Sequence, residues 1–304
     1  MRLALGLAAF GGGIWLLVES VEGLVRTLRA WALAAGLSGV LLGALVLSLD
    51  VESTAAGIAA TLDDLPGTAL GTSIGASIFL VTVGLGVAAL VAPFAVRPPA
   101  ALLAVAAIAT ALAIALAADG RLSRVDGAIL LAAFLPLAAA VFLRRRGHEP
   151  PRTEATPLPR LLVPRIAGGV AGLVIGAELL VFGTRRVVSQ LGLSETVFGL
   201  LVVAAAVSFE EIVLEALPAF RGFPELSVGN ALGTLVFLLT GSLGAIVLVR
   251  PIDVPATVVH YHLPALAVTA LLAGALLARG RLGRPEGALL VAAYALYAAG
   301  ALAA

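Results

Sequence analysis

Apolar stretches of membrane-crossing length follow one another along almost the whole chain, separated by short polar breaks. Ten are legible, at about 3–25, 33–58, 68–93, 98–118, 125–143, 165–189, 195–219, 228–249, 255–278 and 285–303. A helix needs about 20 apolar residues to cross a hydrocarbon core of about 30 Å. Inside a bilayer every backbone N–H and C=O must be satisfied within the segment, so these runs predict helices. One polar connection is long, 144–163, rich in Arg and Pro. The pattern predicts an all-α integral membrane protein of two five-helix units, 1–143 and 164–304, joined by that loop.

Composition narrows the picture. Of 304 residues, 61% are hydrophobic and 12% charged, too little polar surface for a soluble domain of this size. All 19 basic residues are Arg, and they sit at segment ends without forming a patch, so nucleic acid is not an expected partner. The chain has no cysteine, which excludes disulfides and thiolate metal sites. The N-terminus, one Arg and then an apolar run, lacks a convincing small-residue cleavage site and reads as a retained first span.

The two units repeat each other. Gly120-Arg-Leu-Ser-Arg-Val-Asp-Gly127 matches Gly280-Arg-Leu-Gly-Arg-Pro-Glu-Gly287 at an offset of 160. Gly71-Thr-Ser-Ile-Gly75 matches Gly229-Asn-Ala-Leu-Gly233 at 158, while Glu19 matches Glu178 and Glu52 matches Glu211 at 159. Near-constant offsets at separate landmarks mark an internal duplication. With five spans per unit the copies face opposite ways, the inverted-repeat plan of secondary transporters, whose sites lie at the midplane on discontinuous helices. With the N-terminus outside, 13 of the 19 Arg fall on the cytoplasmic side, predicting extracytoplasmic termini and a cytoplasmic 144–163 loop in the plasma membrane.

The acids carry the candidate chemistry. A carboxylate at membrane depth costs about 3 kcal/mol even on lenient insertion scales, so each needs a reason to be there. Ser208, Glu211 and Glu215 fall at i, i+3 and i+7 on one face, with Glu210 turned away by about 100°. Asn230 and Thr234 are i, i+4 and adjoin Gly229 and Gly233; the first repeat offers Ser48, Asp50 and Glu52, then Thr72, Ser73 and Ser77 beside Gly71 and Gly75. Glycines there let helices approach or let carbonyls turn toward an ion. Oxygen-only ligation suits hard cations: Ca²⁺, Na⁺, or Mg²⁺ and Mn²⁺ with retained water. Two carboxylates, one per repeat, balance one divalent ion, and when it leaves H⁺ or Na⁺ must replace it, because two bare carboxylates cannot sit together in low dielectric. No resident cofactor is expected, and the spans show no His-Glu-x-x-His, Ser-Lys or paired-Asp motif of an intramembrane enzyme.

These residues resemble the calcium/cation antiporter superfamily, which includes the sodium/calcium exchangers. Its repeats read roughly G-T-S-L-P-E-L followed by G-N-x-x-G-S-N; here Ala206-Val-Ser-Phe-Glu-Glu-Ile212 and, 18 residues after Glu211, Gly229-Asn-Ala-Leu-Gly-Thr234 stand in those places. Leu47-Ser-Leu-Asp-Val-Glu-Ser53 and Gly71-Thr-Ser-Ile-Gly-Ala-Ser77 fit with a slip of one residue. The resemblance implies Glu52 and Glu211 as ion-binding acids, helped by Ser208 and Asn230, and alternating access in which spans one and six move against two, three, seven and eight. The chain departs from the pattern: the Pro before the site Glu is Val51 or Glu210, Thr72 replaces an Asn, and ligand positions read Leu80 and Leu238. Fewer ligands imply fewer sites, which disfavours three-for-one sodium coupling.

The expected function is exchange of Ca²⁺ against H⁺ or Na⁺. Alternatives are a Mn²⁺, Mg²⁺ or monovalent cation/H⁺ antiporter, a passive channel, or a transport-inactive scaffold. Asp50 and Glu210 stay open between lining the pathway and structural pairing, and Glu215 reads as structural, with Arg221 in reach. Glu19 and Glu178 read as gating residues or helix–helix hydrogen bonders. His260 and His262 read as interfacial packing, with proton sensing as the alternative. Asp63 and Asp64 read as solvated loop acids.

Overall fold

The computed structural model describes residues 2–35, 44, 48, 50–62, 64–143, 162–188 and 204–303. Ten helices stand among them: α1 (Arg2–Ala35), α2 (Val51–Leu62), α3 (Pro66–Val91), α4 (Ala100–Ala117), α5 (Arg124–Leu143), α6 (Leu162–Val188), α7 (Ala204–Phe220), α8 (Pro224–Val249), α9 (Val258–Ala278) and α10 (Arg284–Ala303). The helices reproduce the apolar spans closely. The exceptions are at the N-terminal end. The first helix runs on past 25, since no Pro or Gly stops it. Of the expected 33–58 span the described helix is Val51–Leu62; most of 36–49, the 189–203 stretch where the expected 195–219 span opens, and the linker 144–161 lie outside the described residues.

The break before α2 has a local cause. Asp50 accepts a hydrogen bond on Oδ1 from the Ser53 N–H at 2.8 Å, and its carbonyl takes the Thr54 hydroxyl at 2.9 Å. This is an N-cap, which satisfies an otherwise orphaned first-turn donor. Glu52 therefore stands in the first turn of a helix that begins within the apolar stretch, the discontinuity expected of this architecture.

Repeat symmetry extends to single residues. α3 and α8 both open with Pro at the first position, preceded by a left-handed residue, Asp64 (φ 58°) or Gly222 (φ 83°). α5 and α10 follow left-handed Gly120 (φ 84°) and Gly280 (φ 77°), and each is capped by an acid three residues on: Asp126 accepts from the Ser123 N–H at 2.8 Å, Glu286 from the Gly283 N–H at 2.9 Å. Both long core helices widen into π turns at matching places, 80–84 in α3 and 237–242 in α8, and α3 carries a second at 71–75. Two short antiparallel contacts tie the repeats together: β1 (Arg121–Leu122) with β2 (Ile252–Asp253), and Phe94 with Leu282. Each joins loops that the alternation of spans puts on one side of the membrane.

The core is an interlocked pair of repeats. α10 packs on the end of α3, α5 on the end of α8, and both contacts depend on missing side chains. A Cβ on Gly287 would lie 2.7 Å from the Gly86 carbonyl oxygen, and one on Gly244 2.9 Å from that of Gly127. α1 and α6 lie antiparallel along each other, with Gly183 against Phe10, Gly176 against Leu17, Gly172 against Ser20 and Gly169 against Leu24. Small residues at such a seam bring backbones close, which is how helices gain van der Waals contact where lipid removes the hydrophobic drive.

Candidate functional site

The oxygen-bearing segments of both repeats meet where Ser48 reaches α8. A Cβ on Gly233 would stand 2.6 Å from Ala44 Cα and carbonyl oxygen and 2.8 Å from Ser48 Cβ, so only glycine admits this approach. Gly233 lies between Asn230 and Thr234, both buried; the Thr234 hydroxyl donates to Asn230 Oδ1 at 3.4 Å. On the first-repeat side the π turn 71–75 carries Thr72 and Ser73, and a Cβ on Gly57 of α2 would meet Thr72 Oγ1 at 2.5 Å. Turns of this type widen the helix and often mark functional positions.

Most of these hydroxyls are anchored on backbone carbonyls of their own segment. Ser48 donates to the Ala44 carbonyl at 2.6 Å, Ser77 to Ser73 at 2.6 Å and Thr72 to Ala69 at 2.8 Å, which leaves their oxygen lone pairs available to an ion. Ser73 Oγ is fully buried without a hydrogen-bond partner. Glu211 is half-buried on α7, within electrostatic reach of Glu215 and of Tyr294 on α10. The side chains of Glu52, Ser208 and Glu210 lie outside the described residues, so the expected carboxylate pair is placed by its helices alone. Among the described residues no three His, Cys, Asp or Glu side chains gather to hold a metal. Leu80 and Leu238, at the positions where the resemblance expects ligands, are core residues at 1% and 0% exposure.

Several expectations are corrected. Asp50 caps α2 through Oδ1, which gives it the structural one of the two roles the sequence left open. Asp64 is not merely solvated: it pairs with Arg250 at 2.6 Å, joining the α2–α3 turn to the end of α8. Arg221 pairs with Glu22 on α1 and leaves Glu215 alone. Glu215 is fully buried, and neither oxygen has a hydrogen-bond partner. The i, i+3, i+7 spacing with Ser208 and Glu211 was the signal that marked it, and the presence of a nearby Arg in sequence hid its importance. Glu19 is 56% exposed and bonded to Arg26 at 3.4 Å, beside a cavity of about 530 Å³ between α1 and α6; Glu178 is exposed. His262 Nδ1 lies 2.7 Å from the Tyr297 hydroxyl and Tyr261 donates to the Tyr297 carbonyl at 2.5 Å, an aromatic packing cluster between α9 and α10.

This fold and its paired repeats define a multi-pass membrane exchanger. The chain matches the family described as "Sodium/calcium exchanger protein" over residues 5–143 and 162–303, and it belongs to that family. It is 28% identical over 256 residues to inner membrane protein YrbG of Escherichia coli (strain K12), covering 79% of this chain and 78% of that one. A provisionally named antiporter, CaxA of Alkalimonas amylolytica, is 33% identical over 129 residues, 42% of this chain and only 40% of the relative. Among solved structures, the sodium-calcium exchanger NCX_Mj soaked with 100 mM Na⁺ and 10 mM Sr²⁺ superposes with a TM-score of 0.84 over 98% of both chains, at 23% sequence identity.

Proposed function

We propose that this antiporter exchanges Ca²⁺ against H⁺ or Na⁺ by alternating access, with the ion held between Glu52 and Glu211 and completed by Ser208, Asn230, Thr234, Ser48, Thr72, Ser73 and Ser77. The observation that carries the reading is the approach of Ser48 to Gly233, between Asn230 and Thr234, which brings oxygen donors from both repeats together. Hard oxygen donors around two acids suit a divalent cation of the Ca²⁺ type. Buried Leu80 and Leu238 remove two polar positions and argue for one divalent site without a set of Na⁺ sites around it. The small-residue seam between α1 and α6 supports their movement as a pair against α2, α3, α7 and α8, with Glu19 and Glu178 along that moving layer. In this reading the units are 1–143 and 164–304 in the plasma membrane, with both termini on its extracytoplasmic side and the 144–163 linker in the cytoplasm.

The test is ⁴⁵Ca²⁺ uptake into proteoliposomes under an outward H⁺ or Na⁺ gradient. Gradient-driven uptake in the wild type, abolished in Glu211→Gln, is the expected result and identifies the counter-ion. Folded protein that takes up no Ca²⁺ under either gradient, but does take up Mn²⁺ or Mg²⁺, would move the assignment to those cations.

A further inference from the structure

Glu215 is a buried acid that the exchange reading leaves unused. It is 0% exposed, and both carboxyl oxygens lack a hydrogen-bond partner. The carboxyl fills the space that a side chain at position 84 would take: a Cβ on Gly84 would stand 2.3 Å from Oε2 and 2.8 Å from Cδ. Gly84 closes the π turn 80–84 of α3, so the second-repeat acid is pressed into the first repeat at a widened turn. The pairing is not duplicated. At the repeat offsets, Ala56 stands for Glu215 and Ser242 for Gly84.

No described element packed on α7 brings a neutralising charge to this carboxyl. The 80–91 stretch of α3 has no titratable residue, and α8 has one acid, the exposed Glu225. On α1, Arg26 is engaged with Glu19 and Glu22; the side chains of Arg2 and Arg29 lie outside the described residues. Among the described side chains α6 carries Arg165, Glu178 and Arg186, and α10 brings Tyr294 and Tyr297; none hydrogen-bonds to Glu215. On α7 itself Glu211 stands one turn away and adds like charge, and Arg221 is taken by Glu22. An isolated carboxylate in such a place cannot stay ionised without a cation. A metal ion would need several oxygens around it, whereas the group against Glu215 is the Gly84 methylene. A proton needs no such shell.

We infer that Glu215 carries the exchanged proton, while Glu211 and its oxygen partners hold the divalent ion one helical turn away. This rests on the exchange reading above. Electrostatics couples the two positions: a divalent ion at Glu211 favours the ionised form of Glu215, so the proton leaves as the ion binds. When the ion departs, the Glu211 charge that it had offset favours the protonated form of Glu215 again. One ion on and one proton off is the condition for antiport.

The experiment is infrared difference spectroscopy of the purified full chain, with and without Ca²⁺, combined with calorimetry in buffers of different ionisation heat to count the protons released. A protonated-carboxyl C=O band at neutral pH that Ca²⁺ bleaches in the wild type is expected; the band is missing in Glu215→Gln, and proton release per Ca²⁺ falls by about one. A variant that binds Ca²⁺ and keeps both the band and the full proton count overturns the inference. If the wild type binds no Ca²⁺, the exchange reading fails, and the band at neutral pH still decides whether Glu215 holds a proton. If Glu215→Gln does not fold, the wild-type band alone decides: absence of a buried protonated carboxyl would sink the idea.

Discussion

Gly287 lies against the backbone of Gly86, so close that a Cβ on it would stand 2.7 Å from the Gly86 carbonyl oxygen. Gly244 and Gly127 repeat the relationship in the other half at 2.9 Å. Backbone cannot yield as a flexible side chain does, so Gly287→Ala and Gly244→Ala should each destabilise the protein by about 1–3 kcal/mol. Thermal unfolding in detergent reads this directly. Gly274→Ala is the control, because nothing lies within 4 Å of its Cβ position and it sits inside α9. Its melting temperature should stay level or rise.

Asp50 separates a structural acid from a transport acid. As a cap it accepts the Ser53 N–H through Oδ1, a bond that an asparagine oxygen also makes. Asp50→Asn should therefore keep stability and gradient-driven uptake, while Asp50→Ala should lose about 1 kcal/mol of stability. Glu52→Gln should do the reverse, leaving stability in place and removing uptake. Loss of uptake in Asp50→Asn with unchanged stability would make Asp50 an ion-binding acid as well as a cap.

The helices were legible because bilayer thickness imposes a length on each span and all but one of the breaks between them are short. The duplicated Gly120 and Gly280 turns were legible because a left-handed turn and a capping acid need fixed residue types at fixed spacing. The start of α2 was not, since Asp50 interrupts an apolar run without lowering its overall hydropathy, and a cap depends on backbone geometry. Glu215 was legible as an acid on the right face, but its isolation was not. Sequence proximity offered Arg221 as a partner; the fold gives Arg221 to Glu22, which is 199 residues away in the chain. Likewise the pairing of Asp64 with Arg250 joins loops that only the inverted packing brings together.

The left-handed turns before α3 and α8 offer a test of that symmetry. Gly222 at φ 83° tolerates no Cβ without strain, so Gly222→Ala should cost about 1–2 kcal/mol. Asp64 holds the same conformation at φ 58° with a side chain that tolerates it and an exposed ion pair worth at most about 1 kcal/mol. Asp64→Gly should then cost less than Asp64→Ala, measured by urea or thermal unfolding. The opposite order would mean that the Arg250 pair outweighs the backbone term.

The ion pair between Arg221 and Glu22 joins α1 to the turn between α7 and α8. If α1 and α6 move against the core during transport, this contact belongs to one state of the cycle and must open in the other. At 50% and 18% exposure the pair is screened, and breaking it should cost no more than about 1 kcal/mol, which suits a contact that has to be remade in each cycle. Glu22→Gln should therefore leave the melting temperature nearly unchanged and shift the rate of exchange. A firmer test uses the absence of cysteine from the chain: Glu22→Cys with Arg221→Cys introduces the molecule's two thiols. Joining them with a bifunctional thiol reagent should stop gradient-driven uptake, and a cleavable linker should restore it on reduction. Full uptake in the cross-linked protein would show that α1 stays fixed against the α7–α8 turn, and the moving layer would then have to be sought elsewhere in the fold.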